Sequence, residues 1–298
     1  MKRFILFSFI LSLFAFSAFA EEKVNVIVSY PYQASIVKEI GREIVEVSTL
    51  AKGTEDPHFV VPKPSLIGRL RQADILFING ASLEVGFVPP LLKQANNPKI
   101  NPGADYLIDL SKRVELIDKP DNVSRSEGDI HPEGNPHYHL SYNNFPKIAE
   151  GIRDGLVKVR PDKKEFFERN FSELMKRFEE NKKRWDESLK KIEGCKLIQY
   201  HRMFNYVAKD AKCTIFAEIE PKPGIPPTAK HIEEVIEKSK NERILKVIGD
   251  DYHETKSVKR LSEEMKVPYI ILPHDVNSLD EVRDIFQMYD IIVRRLTE

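Results

Sequence analysis

Eight histidines are spread along this chain, and four of them fall in or beside the loops that follow expected strands. His58 follows a strand and a turn-rich loop, and His137 closes a long polar loop. His201 directly follows a strand, and His274 comes just after another. Zinc asks for imidazole nitrogens at about 2.0 Å in a tetrahedral arrangement, and three or four histidines supply that without thiolates. Two of the four come from each half of the chain, so a cleft between halves would gather them. None lies in a close His-x-x-x-His pair, and an isolated loop histidine is ordinarily solvated. The prolines before His58 and His137 stiffen the approach of those two rings. His131 reads as a solvated loop residue, His231 as a polar position in the first turn of a helix, and His253 as a turn residue near Asp250 and Asp251.

The elements that must position these rings are arranged about one long segment, Asp162 to Glu193. Phe167, Phe171, Leu174, Met175, Phe178, Trp185, Leu189 and Ile192 recur in steps of three, four and seven, one stripe of a helix. Asp162 with Glu165 has the form of a capping box, and Gly194 is placed to stop the helix. At 1.5 Å per residue the rod would span on the order of 46 Å, enough to act as a strut. A coiled-coil dimerisation helix is the competing reading, but Asn181 and Lys182 interrupt the heptad.

Strand and helix alternate on both sides of the strut. Before it, strands are expected at Val24–Ser29, Ile44–Thr49, Asp74–Asn79 and Asp105–Leu110. Between them come helices at Gln33–Ile40, from Pro64 to Gln72, and at Leu83–Gln94 with a break at Pro89-Pro90; another follows at Tyr142–Val159. Residues 111–136 lose all periodicity. After the strut, strands are expected at Lys196–Tyr200, Thr214–Glu218, Ile244–Gly249 and Val267–Leu272, with a last helix near Leu279–Leu296. This is an α/β pattern of two open, mainly parallel-sheet lobes joined by one long rigid helix. The boundaries read as 1–20 signal peptide, 21–160 first lobe, 161–194 linking helix and 195–298 second lobe. Ligands of such sheets bind beyond the carboxyl ends of the strands, where the histidines lie.

Lys2-Arg3, an apolar run from Phe4 to Phe16 and Ala18-Phe19-Ala20 read as a signal peptide cleaved after Ala20, against an uncleaved anchor. No cysteine near Ala20 marks a lipid attachment, which points to a free periplasmic protein. The 46 basic and 46 acidic residues balance, which gives no support to nucleic-acid binding. Cys195 and Cys213 begin consecutive strands, so a disulfide and two buried thiols both remain open.

Three short motifs, in order, carry a resemblance. Asp56-Pro57-His58 with Pro64-Ser65, followed by Ala73-Asp74 to Asn79-Gly80 and Leu83-Glu84, resembles the first ligand motif of the metal-binding solute-binding proteins of bacterial zinc and manganese ABC uptake systems. Asn135-Pro136-His137-Tyr138-His139-Leu140 resembles the second, with Asn135 and His139 in place of the family's usual Asp and Trp. His201-x-x-Phe204-x-Tyr206 resembles the third. The similarity spans residues 24–296.

The resemblance implies a monomeric periplasmic protein, not an enzyme, that captures Zn²⁺ and hands it to an ABC transporter membrane permease. His58, His137 and His201 carry over as metal ligands. The fourth position reads His274, with Asp275, then Asp250, or a water as alternatives. Members that favour manganese tend to place a carboxylate at the third position, so His201 argues for Zn²⁺, with Mn²⁺ as the alternative solute. Zinc members commonly carry a His-rich acidic loop before the second motif; here that stretch offers only His131. A zinc hydrolase would need an open coordination position and a general base, for which Glu55 and Glu84 are nearest; no His-Glu-x-x-His pattern is present. A surface adhesin on the same fold is a third reading. A single helical connection implies modest rearrangement of the lobes on binding.

Overall fold

The computed structural model describes residues 22–120 and 131–298; the signal-peptide reading lies outside them. In the first sheet, β1 (Val24–Val28), β2 (Val45–Thr49), β3 (Ile75–Ile78) and β4 (Leu107–Asp109) run parallel in the order β2-β1-β3-β4. In the second, β5 (Lys196–Gln199), β6 (Thr214–Glu218), β7 (Ile244–Asp250) and β8 (Tyr269–Leu272) repeat that order as β6-β5-β7-β8. In each sheet the strand order reverses at its first strand, so crevices open beyond the carboxyl ends of β1 and β5. The central strands are β-branched runs covered on both faces, as parallel pairing requires.

Nine helices are described: α1 (Pro31–Gly41), α2 (Pro64–Gln72), α3 (Val88–Ala95), α4 (Phe145–Val159), α5 (Lys164–Leu189), α6 (Asn205–Asp210), α7 (Ala229–Ser239), α8 (Lys256–Met265) and α9 (Ile285–Thr297). Pro89 and Pro90 do not break a helix begun at Leu83. They sit in the first turn of α3, where a missing N–H costs nothing. The last helix likewise starts later than its apolar pattern, because the Asp284 carboxylate accepts the Gln287 N–H at 2.9 Å and caps it.

The strut, α5, has 26 residues, so it spans about 39 Å, with single 3-10 turns at 161–163 and 190–192. The expected capping box does not form: the Asp162 carboxylate instead accepts two bonds from the Arg160 guanidinium at 2.9 and 2.8 Å. Gly194, at φ +81°, ends the segment. The apolar stripe is consumed inside the molecule. Phe167, Leu174, Phe178, Trp185 and Leu189 are buried against α1, α4 and α9, and Asn170 donates to the Ile40 carbonyl at 2.9 Å. The Trp185 indole N–H donates to Asp290 of α9 at 2.7 Å while its ring packs on Tyr289 at 5.3 Å. That internal use leaves no seam for a coiled-coil partner.

The α9 contact joins the halves into one core. A continuous apolar cluster runs from the first sheet through α5 and α9 to Leu197, Phe204 and Ile248 of the second half. A smaller cluster, including Ile198, Val247, Val258 and Leu261, fills the other face of the second sheet under α7 and α8. Cys195 and Cys213 form a disulfide, with Cα atoms 4.6 Å apart, that ties the starts of β5 and β6. Gly53, in the loop after β2, meets the loop after β8 so closely that a Cβ would lie 2.1 Å from the Val276 carbonyl oxygen. Only glycine permits that approach between the lobes.

Candidate metal centre

Local chain chemistry sets each ring. In Asp56-Pro57-His58 the Asp56 Oδ1 accepts both the His58 backbone N–H and its Nδ1–H at 2.9 Å, an Asx turn with proline at its centre. Asn135-Pro136-His137 makes the same turn: Asn135 Oδ1 accepts the His137 N–H at 3.0 Å. Asparagine here does what aspartate would not, because its amide also donates to Asp118 at 3.1 Å and to the Arg202 carbonyl at 2.9 Å. His201 leaves the end of β5, and its Nδ1–H donates to Glu220, two residues beyond β6, at 2.7 Å. In His58 and His201 a carboxylate thus fixes the tautomer and turns Nε2 toward the cleft.

The three rings converge. Centroids lie 5.3 Å apart for His58 and His137, 5.3 Å for His58 and His201, and 5.4 Å for His137 and His201. One ligand nitrogen of each lies within 4.8 Å of the others. A tetrahedral zinc with bonds of about 2.0 Å would hold its ring centres about 5 Å apart, so the triangle has the size of a shared ion. His137 and His201 are buried. The Nε2 of His137 has no hydrogen-bond partner among the described residues. Burial, with repulsion from His58 and His201, pushes the His137 pKa well below the usual imidazole range and keeps it in the neutral, metal-ligating form.

Other parts of the motifs brace this triangle. The Glu84 carboxylate accepts the Asn79 and Gly80 N–H groups at 2.6 and 3.0 Å, and Asn79 donates to the Pro136 carbonyl at 3.1 Å. Tyr138 donates to the Asn79 carbonyl at 2.6 Å. Tyr206 donates to the Asn135 carbonyl at 2.8 Å, which links the third motif to the second.

His274 is a correction. Its Nδ1 faces Asp251 at 2.5 Å and its Nε2 meets the Glu55 carbonyl at 3.2 Å, so both nitrogens are committed and neither joins the cluster. Burial alone would lower its pKa, but the bond and charge of Asp251 outweigh that and raise it. The reserves are engaged too: Asp275 accepts the Tyr32 and Val276 N–H groups, and Asp250 holds His253. His139 stacks on Tyr32 at 4.4 Å and donates Nε2–H to the His274 carbonyl, so it stitches the lobes beneath the site.

Sequence reasoning missed three residues at this centre. Glu220 gave a signal that was overlooked, since it lies two residues beyond β6, at the same end of the sheet as His201. His253, read as a surface turn residue, stacks on Tyr200 at 4.6 Å and stands 5.6 Å from His201. His131, read as solvated, packs on His58 at 5.4 Å. His231 is part-buried, its ring meeting the Glu218 carbonyl at 3.1 Å.

Two parallel-sheet lobes, a strut and a cleft of histidines define a solute-binding architecture, and comparison with known proteins agrees. Residues 26–298 match the family described as "ZnuA: Zinc-uptake complex component A periplasmic", and the chain belongs to that family. It is 26% identical over 265 residues to the zinc-binding lipoprotein AdcA of Streptococcus pneumoniae, covering 88% of this chain and 52% of the relative. It is 23% identical over 249 residues to the manganese ABC transporter substrate-binding lipoprotein PsaA of Streptococcus anginosus, covering 83% of this chain and 78% of the relative. The chain therefore spans about half the length of AdcA. In fold it is similar to a crystal structure of ZnuA, with TM-score 0.77, 22% identity, and coverage of 93% and 98%. It is also similar to the Cd-bound periplasmic metal-binding protein from Candidatus Liberibacter asiaticus, with TM-score 0.75, 19% identity, and coverage of 92% and 100%.

Proposed function

We propose that this protein captures Zn²⁺ outside the cytoplasmic membrane and delivers it to the permease of an ABC transporter. The observation that carries this is the near-equilateral triangle of His58, His137 and His201, two of its corners oriented by carboxylates. Family membership supports the transport role, in which a component binds and releases an ion and performs no reaction on it. The nitrogen-only triad favours zinc over manganese, which prefers oxygen donors. The zinc-binding relative AdcA and the manganese-transport relative PsaA are similarly distant, so support for zinc comes from the donor set.

The hydrolase reading is disfavoured because the carboxylates nearest the triad among the described residues are engaged, Glu55 accepting the Lys52 N–H at 3.0 Å. Asp56 and Glu220 already hold imidazoles, and Glu84 is buried on the backbone of Asn79 and Gly80. Among the described residues no helix is long and apolar enough to cross a membrane. A chain trimmed after Ala20 and released as a monomer into the periplasm, with lobes 21–160 and 195–298 about the 161–194 link, fits this role. The test is calorimetric titration of metal-stripped protein with Zn²⁺ and Mn²⁺, repeated with His58→Ala, His137→Ala and His201→Ala. Tight Zn²⁺ binding, weaker Mn²⁺ binding and loss in each variant are expected. Equal or tighter Mn²⁺ binding, or unchanged Zn²⁺ binding in the variants, contradicts the assignment.

A further inference from the structure

Three imidazoles leave one corner of a tetrahedral ion open, and the structure shows what stands beside it. The nearby carboxylates, Asp56 and Glu220, are spent on His58 and His201, and His274 is held by Asp251 and Glu55. His131 remains. Its ring lies 5.4 Å from His58, the spacing of the triad itself, and 6.5 Å from His137, about an ångström beyond it. As the ring now stands, it lies outside the set of ligand nitrogens within 4.8 Å of one another, which holds His58, His137 and His201 alone.

The donor atom is presented by its surroundings. The backbone of Ala81 and Ser82 hydrogen-bonds the His131 ring, while its Nε2 is buried with no hydrogen-bond partner among the described residues. Ala81 and Ser82 both have positive φ, 51° and 62°, a strained conformation for residues other than glycine. Ser82 also donates to Glu133 at 2.7 Å. The turn His131-Pro132-Glu133-Gly134 closes with the Gly134 N–H on the His131 carbonyl, and Gly134 at φ +122° leads straight into the second motif. A Cβ there would lie 2.8 Å from the Ile117 carbonyl oxygen, so the turn that joins His131 to His137 requires glycine. Finally, His58 and His131 together line a cavity of about 550 Å³ walled by Phe59, Val61 and Val85.

We propose that His131 is the fourth nitrogen ligand of this site, its ring turning Nε2 toward an ion already held by His58, His137 and His201. This rests on reading the triad as a zinc site. An all-nitrogen shell excludes the oxygen donors that manganese prefers, so His131 sharpens selectivity as well as affinity.

X-ray absorption of the Zn²⁺-loaded chain, with Zn²⁺ and Mn²⁺ affinities from chelator competition, tests this on wild type, His131→Ala and His131→Gln. Four imidazoles are expected in the wild type, and three plus one oxygen in both variants. The variants are expected to lose about tenfold or more in Zn²⁺ affinity and to bind Mn²⁺ no more weakly than wild type. An identical shell and affinity in wild type and both variants overturns the role of His131 while leaving the triad intact. A wild type that binds no Zn²⁺ overturns the zinc reading itself. Thermal melting of the metal-free variants, expected to be unchanged, separates a lost ligand from a lost fold.

Discussion

A metal ligand is only as good as the group behind it, and in the proposed site that group is a carboxylate for two rings and a backbone turn for the third. His201 is aimed by Glu220, and His58 by Asp56, so neither imidazole must be ordered when the ion arrives. Glu220→Gln keeps a hydrogen bond but removes the charge that polarises His201. It is expected to weaken Zn²⁺ binding by roughly 10–100-fold in a competition titration, with His201→Ala losing more. His139 allows a pH prediction. Burial depresses its pKa to about 4, with the bond to the His274 carbonyl opposing, while the unfolded chain titrates near 6.5. Below pH 6.5 the unfolded state takes up a proton that the native state refuses, so its contribution is present above 6.5 and lost as pH falls toward 4. In metal-free protein, urea unfolding should show wild type losing on the order of a few kcal/mol relative to His139→Gln across that window. A difference independent of pH contradicts this.

At the scale of elements, the strut does more than separate the lobes. Its stripe is the wall against which α1, α4 and α9 pack, and Trp185 is its most enclosed contact with α9. Trp185→Ala is expected to cost about 3–5 kcal/mol in denaturant unfolding, and to leave Asp290 without its indole donor. Separate loss of the second half, with the first half still folded, would show that α9 is not the clasp. The strut and the eight strands were legible because period 3.6 and β-branched runs report burial directly. Boundaries were less so: Pro89-Pro90 and Asp284 start helices by satisfying first-turn N–H groups, a competition that apolar spacing does not record. Among the candidate ligands that converge, His58 and His137 were marked by their prolines and His201 by the end of its strand. His274 looked equivalent at the edge of β8, but Asp251, 23 residues earlier in the chain, sits against its Nδ1. His131 looked solvated because nothing in its own stretch reveals the backbone of Ala81 and Ser82 folded over it.

For the whole molecule, the lobes are latched on several sides of the cleft. Tyr32 donates its N–H to Asp275, Tyr289 its hydroxyl to the His139 carbonyl, and Ser141 its hydroxyl to Asp210. Gly53 against Val276 and the shared core around α5 and α9 leave little room for a hinge. Solution scattering of apo and loaded protein should therefore differ little, and a wide rigid-body closure would count against this packing. Under the proposed function, loading becomes a rearrangement of side chains and short loops. The most direct measurement of the central claim is anomalous diffraction at the zinc edge from crystals of the loaded chain. A single strong peak within about 2.0–2.1 Å of ring nitrogens from His58, His137 and His201 is the predicted result. A peak on other residues, or one that touches fewer than these three rings, would contradict it.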